Sequence, residues 1–212
     1  MNGPLRAAVF LSGGGRTLDN LIHHRDHHGL PIEIPLVIGS RSGLRGIDIA
    51  TAAGIRTLVV DRSSVINQTD DQTKRQGQLR YCQTMFDPVR REGCSHVIMA
   101  GFLKHVLIPD DFVRRVINIH PSLLPAFGGP GMYGDRVHAA AIQRGVQISG
   151  CTVHYVDNVY DNGPIILQRH CEVKPDDTPE QLAARVFELE KQALPDAIRR
   201  LAATATRSES RQ

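Results

Sequence analysis

The sequence predicts an α/β fold with a Rossmann-like, mostly parallel sheet flanked by helices and an antiparallel strand pair in its C-terminal half. Short, nearly unbroken apolar runs alternate with longer segments of helical periodicity, a pattern typical of strands that helices bury on both faces. After Asn118 this rhythm changes, because two apolar segments follow each other across a single turn. With 212 residues, of which 41% are hydrophobic, the chain is expected to form one sizeable core.

The strands follow from these patterns in chain order. Five short apolar runs are predicted as parallel strands, at residues 7–11, 35–38, 57–60, 96–100 and 116–119. Residues 147–156 and 164–173 are predicted to pair antiparallel across a turn centred on 157–162.

The C-terminal end combines a helix with a polar tail. Thr178 is expected to cap the last helix, with Pro179 at its first position and Gln181 completing a capping box. We predict a single domain over residues 1–202, and we expect residues 203–212 to form a disordered tail because they are small and polar.

Charge, hydropathy and cysteine content argue against several functional classes. The formal net charge of +3 comes without a basic run containing aromatics, so no nucleic-acid partner is expected. No apolar stretch is long enough to cross a bilayer and residues 1–6 lack the apolar run of a signal peptide, so we expect a cytoplasmic protein without a membrane partner. The four cysteines are scattered, which fits neither a zinc site nor a disulfide framework, so free thiols and no bound metal are expected.

A glycine-rich segment follows the first predicted strand and opens the first helix. Gly13, Gly14 and Gly15 offer bare backbone amides, and Arg16 and Thr17 add a cation and a hydroxyl at the helix N-terminus. Such an arrangement favours phosphate binding. The segment is neither a Walker A sequence nor a complete Gly-x-Gly-x-x-Gly motif, so nucleotide binding in the usual sense is not predicted, and a plain tight turn is the alternative.

Two polar side chains are predicted to end a buried strand together. Asn118 and His120 lie two residues apart, so both project from the same face toward the crevice where open α/β sheets bind ligands. Both are candidates for catalysis, and a packed, hydrogen-bonded ring is the alternative for His120. His154, on a later strand, is expected either to support this site or to be an ordinary hydrogen-bonded strand residue.

Asp161 opens the motif Asp161-Asn162-Gly163-Pro164, whose ordinary role is a structural turn. A carboxylate within reach of an imidazole favours the protonated ring, which can polarise a carbonyl and pass protons. Asp161 is therefore a candidate partner for His120. Between them lies the glycine-dense segment 127–134, which suits either a mobile loop over a substrate or a plain connection.

At these residues the chain resembles a known family. The run from Asn118 to Pro125, followed by Asp161-x-Gly163-Pro164, resembles the formyltransferase superfamily and, within it, the phosphoribosylglycinamide formyltransferases, over about residues 6–201. The resemblance implies the formyltransferase fold. It also implies transfer of the formyl group of 10-formyltetrahydrofolate, a co-substrate, to the amine of 5′-phosphoribosylglycinamide in de novo purine (IMP) biosynthesis, without a metal. Asn118 would then donate to the developing oxyanion, His120 would stabilise that charge and pass protons, and Asp161 would hold His120 in its charged form.

The resemblance also assigns binding positions. Gly13, Gly14, Gly15, Arg16 and Thr17 would bind the phosphate, and Glu190 the ribose hydroxyls. The folate pocket would be lined by Leu103, Val106, Asn118, Asp157, Asn158, Val159, Tyr160 and Asp161. Arg16 and Thr17 stand where the family commonly has Ser-Asn, and Lys191 stands where a histidine often follows the glutamate. These departures leave the phosphate geometry and the ribose contact open, and an apparent extra residue within 104–108 leaves the folate-facing register open.

Other functions are compatible with the same residues. A formyltetrahydrofolate deformylase would let water attack, and it is expected to carry a regulatory domain before the first strand. A sugar-nucleotide formyltransferase would use the same chemistry on another amine. A phosphoribosyl-ligand binding protein would keep the fold without the chemistry. The expected partners are small molecules, and we expect a monomer or a homodimer.

Overall fold

The computed structural model describes residues 3–66 and 71–209. Its strands are β1 Leu5–Leu11, β2 Ile32–Glu33, β3 Leu36–Gly39, β4 Arg56–Val59, β5 His96–Met99, β6 Val116–His120, β7 Ile148–Tyr155 and β8 Ile165–Glu172. Its helices are α1 Arg16–His27, α2 Arg45–Ala52, α3 Arg62–Val65, α4 Asp71–Arg91, α5 Asp135–Arg144 and α6 Pro179–Glu209, with a 3₁₀ turn at Asp110–Phe112.

One mixed sheet organises the described part of the chain. Its strand order is β4-β3-β1-β5-β6-β7-β8, with the short β2 beside β1. The pairs from β4 to β6 are parallel, whereas β6 pairs antiparallel with β7 and β7 with β8. The predicted fold class is confirmed, together with its parallel strands and its antiparallel pair. The sequence did not predict β2, because a strand of two residues carries no readable alternation.

Side chains of the central strand β1 alternate between two cores. Ala7, Val9 and Leu11 face the core that α1 and α6 cover, while Ala8 and Phe10 face the core that α4 covers. All five are fully buried. Burial on both faces explains why the run reads as continuously apolar rather than as an apolar–polar alternation.

The start of α6 has the predicted capping box. The Thr178 N–H donates to Gln181 Oε1 at 2.8 Å, and the Gln181 N–H donates to the Thr178 hydroxyl at 3.3 Å. These bonds satisfy donors that the first turn of a helix leaves unpaired. The helix continues to Glu209 and so enters the segment predicted to be a disordered tail, because its alanines readily extend a helix that packing has already nucleated. Residues 210–212 lie outside the described part, and the division into domain and tail stays a prediction.

The cysteines and the helices bear on two expectations drawn from composition, which are free thiols and the lack of a membrane-spanning segment. All four cysteines are free, and three of them are buried. Burial raises the thiol pKa of Cys94 to about 11 and that of Cys151 to about 12, so both are protonated at neutral pH. Among the described helices, none combines the length and the apolar character needed to cross a membrane.

The carboxyl ends of β1, β5 and β6 lie side by side and position the site. These strands end at Leu11, Met99 and His120. β1 pairs with β3 on one side and with β5 on the other, so the sheet is built outward in both directions from β1. Open α/β sheets bind ligands at such a switch point. The segments that leave these three strands therefore meet over one crevice.

Candidate active site

A cavity of about 360 Å³ opens at the carboxyl ends of these three strands. Nearly every residue that the sequence singled out lies in its walls. The N-terminal half contributes Gly13, Gly14, Gly15, Arg16, Thr17, Leu103 and Val106, and the C-terminal half contributes Asn118, His120, His154, Asp157, Val159, Tyr160, Asp161 and Glu190. The structure thus brings the predicted catalytic and binding positions together, with one exception.

The exception is Asn158, which does not line the cavity and so departs from its predicted place in the folate pocket. Its side-chain oxygen accepts a hydrogen bond from the Ile108 N–H at 2.8 Å, which holds the neighbouring loop. Asp157 shapes the same turn, because its carboxylate accepts from the Val159 N–H at 2.8 Å and from the Asn162 amide at 3.0 Å. A backbone N–H of the neighbouring loop, rather than a ligand, therefore satisfies the side-chain oxygen of Asn158.

His120 and Asp161 form the polar centre of the cavity. The exposed fraction of His120 is only 3%. Its Nε2 lies 2.9 Å from the carbonyl oxygen of Phe127, and because a carbonyl only accepts, Nε2 carries a proton. Its Nδ1 lies 3.5 Å from Asp161 Oδ1. The imidazole is thus held at one nitrogen by the Phe127 carbonyl and faces the Asp161 carboxylate with the other.

The turn motif explains where Asp161 stands. Asp161 has a φ of 52°, and its Oδ2 accepts from the Gly129 N–H at 2.8 Å. Gly163 allows the turn to press against β7, since a Cβ there would lie 1.9 Å from the Tyr155 carbonyl oxygen. The glycine of the motif is required by this close approach. The conformation of the turn therefore also positions the Asp161 carboxylate in the cavity.

Asn118 and His154 face each other on the paired strands β6 and β7. His154 Nδ1 lies 2.8 Å from the Tyr155 carbonyl oxygen and donates to it. Burial lowers the pKa of His154, against the opposing effects of the Tyr155 carbonyl and Asp161. The neutral ring then accepts at Nε2 a hydrogen bond from the Asn118 amide nitrogen at 3.2 Å. This bond turns the Asn118 –NH₂ group toward His154 and leaves its second N–H to donate to a ligand.

A buried hydrogen-bond network holds the backbone that follows His120. Thr152 is fully buried, and its hydroxyl donates to the Ser122 carbonyl at 2.7 Å and accepts from the Leu124 N–H at 3.0 Å. The Gln168 amide donates to the Leu124 carbonyl at 3.0 Å. Because Thr152 pairs with His120 across β6 and β7, the network fixes the chain directly behind the imidazole. This network was not predicted from the sequence, because its partners come from the loop after β6 and from two later strands.

The glycine segment forms the other end of the cavity. Gly15 has a φ of 76°, and a Cβ there would lie 2.5 Å from the Gly46 Cα, so both conformation and space demand glycine. Gly13 and Gly14 are exposed, which leaves their backbone amides accessible beside the N-terminus of α1. An anion at this point would meet bare amides and the positive end of a helix.

The Arg16 side chain extends from this loop onto α6. Its guanidinium carbon lies 4.3 Å from the centroid of the Phe187 ring, a cation–π contact. The sequence analysis did not single out Phe187. The available signal was helical spacing, because Ala183, Phe187 and Glu190 recur every three or four residues and line the cavity. They form a second stripe on α6, beside the apolar stripe that packs on the core.

Glu190 lies on this second stripe. Burial raises its pKa to about 7, while the nearby Arg16 guanidinium acts in the opposite direction. Near neutral pH the carboxyl group can therefore accept hydrogen bonds from hydroxyl groups or donate hydrogen bonds to them. Lys191, the residue that departs from the family pattern, does not line the cavity. Its ammonium pairs with Glu188 at 2.5 Å, and its carbonyl accepts from the Asn20 amide at 2.9 Å, so Lys191 belongs to the contact between α1 and α6.

His138 on α5 is a second cavity residue that the sequence analysis missed. Its exposed fraction is 4%, and burial is the main cause that lowers its pKa, so the ring is neutral at pH 7. Its Nδ1 has no hydrogen-bond partner within the part of the chain that the structure describes. The sequence signal was a histidine beside Val137 and Ala141, on the buried face of a short helix.

The mouth of the cavity is apolar. Leu103, Val159 and Tyr160 line it and have exposed fractions of 54%, 59% and 48%, while Val106 lies deeper and is buried. Large apolar side chains that stay exposed around a cavity favour the binding of a ligand with apolar parts. The cavity therefore has an apolar entrance, a polar centre and an anion-binding end.

The polar centre can stabilise an oxyanion and move protons. It offers an oriented amide donor in Asn118 and an imidazole beside a carboxylate in His120 and Asp161. Across residues 3–66 and 71–209, no group of three or more His, Cys, Asp or Glu side chains is arranged to hold a metal ion. This combination suits acyl transfer through a tetrahedral intermediate.

Comparison with known proteins gives consistent results. The family model described as formyl transferase matches residues 5–198. The chain is 38% identical over 191 residues to the chloroplastic phosphoribosylglycinamide formyltransferase of Vigna unguiculata; the match covers 88% of this chain but only 57% of that protein, so this chain spans little more than half of that relative.

Solved bacterial structures match over most of their length. The glycinamide ribonucleotide transformylase 1 of Symbiobacterium toebii superposes with a TM-score of 0.83 at 29% identity, covering 96% of this chain and 90% of that one. The phosphoribosylglycinamide formyltransferase of Brucella melitensis superposes with a TM-score of 0.78 at 32% identity, covering 94% of this chain and 96% of that one. Because the family match also includes the polar centre and the stripe on α6, the chain belongs to the formyl transferase family.

Proposed function

We propose that this protein transfers the formyl group of 10-formyltetrahydrofolate to the amine of 5′-phosphoribosylglycinamide, giving the N-formyl product and tetrahydrofolate in de novo purine biosynthesis. One observation carries the proposal: a single cavity joins the polar centre at Asn118, His120 and Asp161 to an anion-binding end at Gly13–Arg16. An amine on a phosphorylated sugar could occupy both ends at once. The similarity to proteins named for this reaction supports the choice of substrate.

The reaction begins when the substrate amine attacks the formyl carbon. The carbonyl oxygen gains negative charge as the tetrahedral intermediate forms. Asn118 meets this charge with the amide N–H that its bond to His154 leaves free. Loss of one such donor typically costs about 100- to 1,000-fold in rate.

His120 provides the second contribution. Its Nε2–H is bound to the Phe127 carbonyl, which fixes the ring, and its Nδ1 faces Asp161. The charged imidazolium stabilises the developing oxyanion and supplies a proton as the intermediate collapses. Positioned proton transfer of this kind contributes about 100- to 10,000-fold.

Asp161 completes the polar centre. Its Oδ1 faces the imidazole, while its Oδ2 is held by the Gly129 N–H. The carboxylate keeps His120 charged and takes up the proton that the attacking amine must lose, directly or through water. The carbon–nitrogen bond to the folate then breaks, and the folate nitrogen keeps the proton that His120 supplied. The formyl group stays on the substrate amine, and Asp161 passes the amine proton back to His120 Nδ1.

The phosphate and the ribose occupy the other end of the cavity. The amides of Gly13, Gly14 and Gly15 and the N-terminus of α1 bind the phosphate, with Arg16 as the cation. Thr17 adds a hydroxyl, and Glu190 binds the ribose hydroxyls. The departure from the family's Ser-Asn at this loop therefore keeps a hydroxyl, in Thr17, and adds a cation that is stacked on Phe187.

The formylated folate enters through the apolar mouth. Leu103, Val159 and Tyr160 cover its aromatic parts, while Val106, Asp157 and Asp161 line the deeper wall. Folate is a co-substrate here, and no metal takes part. The cytoplasmic location and the monomeric or homodimeric state expected from the sequence stay predictions, and the Vigna unguiculata relative carries the word chloroplastic in its name.

The test is formyl transfer, followed by folate absorbance, with and without 5′-phosphoribosylglycinamide. We expect turnover that requires the ribonucleotide and yields its formylated product. Release of formate without the ribonucleotide would indicate a deformylase instead. Stabilisation by the ribonucleotide, without turnover or any response to the folate, would indicate a binding protein.

A further inference from the structure

Four histidines lie at the C-terminal end of α1, at the opposite end of that helix from the glycine segment. They are His23, His24, His27 and His28, and none of them lines the cavity. We propose that His23 and His28 form a binding site for one divalent transition-metal ion of the Cu²⁺, Ni²⁺ or Zn²⁺ class. This site is separate from the proposed formyl transfer and does not depend on it.

The distance between the two imidazoles carries the proposal. The Nε2 atoms of His23 and His28 lie 3.2 Å apart, and the ring planes meet at 67°. Two imidazole nitrogens bound to one ion at about 2.0–2.1 Å lie roughly 2.8–3.4 Å apart for bond angles between a right angle and the tetrahedral angle. The pair already has the separation that a shared ion requires. In the absence of an ion, the nitrogens must share a proton, because two facing lone pairs repel.

The surroundings leave the two imidazoles open to an ion, although Arg199 donates to the His28 carbonyl at 3.4 Å. Both rings are exposed, so an ion can reach them from solvent. The last turn of α1 presents the negative end of the helix dipole. The neighbouring carboxylate of Asp26 forms an ion pair with Arg25 at 2.7 Å rather than with the imidazoles. Imidazole nitrogen is a preferred ligand of copper, nickel and zinc, and a poor ligand of magnesium and calcium.

The coordination number follows from the neighbouring rings. The ring of His27 lies 4.9 Å from that of His23, and the ring of His24 lies 5.0 Å from that of His28. Even so, no group of three possible ligands surrounds one point in the described part of the chain. The ion therefore has two protein ligands, and water completes its coordination. Such a site is expected to bind copper more tightly than nickel or zinc.

Calorimetric titration of the full chain with CuCl₂, NiCl₂, ZnCl₂ and MgCl₂ at neutral pH tests the proposal. We expect one copper ion per chain, weaker binding of nickel and zinc, and no binding of magnesium. Loss of a residue that only hydrogen-bonds to a metal ligand costs about 10- to 100-fold in metal affinity. Loss of a ligand itself should cost at least as much, so His23→Ala and His28→Ala should each lower copper affinity by at least about tenfold. His170→Ala, which removes an exposed histidine on β8, is the matched control and should bind like the unmodified chain.

A second measurement separates loss of a ligand from loss of structure. The electron paramagnetic resonance spectrum of the copper form should show coupling to two nitrogens, reduced to one in either variant, while circular dichroism stays unchanged. Absence of copper binding, or unchanged binding in His23→Ala, would overturn the proposal. The proposal would also be overturned if His27→Ala lost copper binding while His28→Ala kept it. The chelating pair would then be His23 and His27, one helical turn apart.

Discussion

The stacking of Arg16 on Phe187 makes a prediction that distinguishes phosphate binding from a merely structural loop. Phe187→Leu keeps an apolar side chain on α6 but removes the ring beneath the guanidinium, 4.3 Å away. Arg16 would then lose its fixed position beside the glycine amides. We expect weaker binding of the ribonucleotide, because a mobile cation loses more entropy when it pairs with the phosphate.

The magnitude follows from the exposure of the pair. Arg16 is exposed, so the cation–π contact should contribute about 0.5–1 kcal/mol rather than the larger values found in desolvated sites. Since about 1.4 kcal/mol corresponds to a tenfold change, KM for the ribonucleotide should rise about two- to five-fold. The value of kcat should stay unchanged, because the Phe187 ring supports Arg16 at the phosphate end of the cavity. Phe187→Tyr retains a ring and should behave like the unmodified enzyme.

A double-mutant cycle in steady-state formyl transfer is the assay. Arg16→Ala should weaken ribonucleotide binding more strongly, since a charge-assisted hydrogen bond contributes about 1.5–3 kcal/mol. In the Arg16→Ala background, Phe187→Leu should have no further effect. An equal effect of Phe187→Leu in both backgrounds, or a fall in kcat with unchanged KM, would refute the reasoning.

Four further substitutions test other parts of the site. Asn118→Ala should lower kcat/KM by about 100- to 1,000-fold, measured by steady-state kinetics. His154→Phe fills the same space but no longer orients the Asn118 amide, so kcat should fall by up to about 100-fold while ribonucleotide affinity, measured by calorimetry, is unchanged. The pKa of Glu190 is raised to about 7 in the folded protein. Between the ordinary carboxyl pKa and 7, the folded state therefore holds more protons than the unfolded state. The free energy of unfolding should fall as pH rises through that range. Glu190→Gln should remove this fall in denaturant unfolding across the same pH range. Gly163→Ala should lower the melting temperature through a loss of about 1–3 kcal/mol, because its methyl group would meet the Tyr155 carbonyl.

The polar centre was largely predictable from sequence because local rules act on it. Asn118 and His120 share a strand face by their spacing, and that strand ends at the ligand-binding edge of the sheet. Asp161 was identifiable through its turn and through the resemblance to a known family. His154 was left with two alternatives, and the structure shows features of both, since the ring is hydrogen-bonded to the backbone and also faces Asn118.

The supporting contacts were not predictable in the same way. The bonds of Thr152 and Gln168 join segments that come together only when β6, β7 and β8 pair. Phe187 meets Arg16 only because α1 and α6 pack side by side. Asn158 was misplaced because a turn amide can serve a ligand or a neighbouring loop, and the partner, Ile108, is fixed by tertiary structure.

The fold was predictable where burial is uniform. Strands buried on both faces appear as apolar runs, and the capping box identified the start of α6. The short β2 lacked any periodic signal. α6 continues to Glu209, into the segment predicted as a tail, because the tail follows a packed helix that composition alone does not reveal.

The most direct test of the assigned chemistry compares turnover with ribonucleotide affinity in His120→Ala. The ring contacts Phe127 and Asp161 in the polar centre, away from the glycine segment that binds the phosphate. We predict that formyl transfer falls by at least about 100-fold while the calorimetric Kd for 5′-phosphoribosylglycinamide changes by no more than a few-fold. Formyl transfer close to that of the unmodified enzyme would contradict the assigned role of the imidazole.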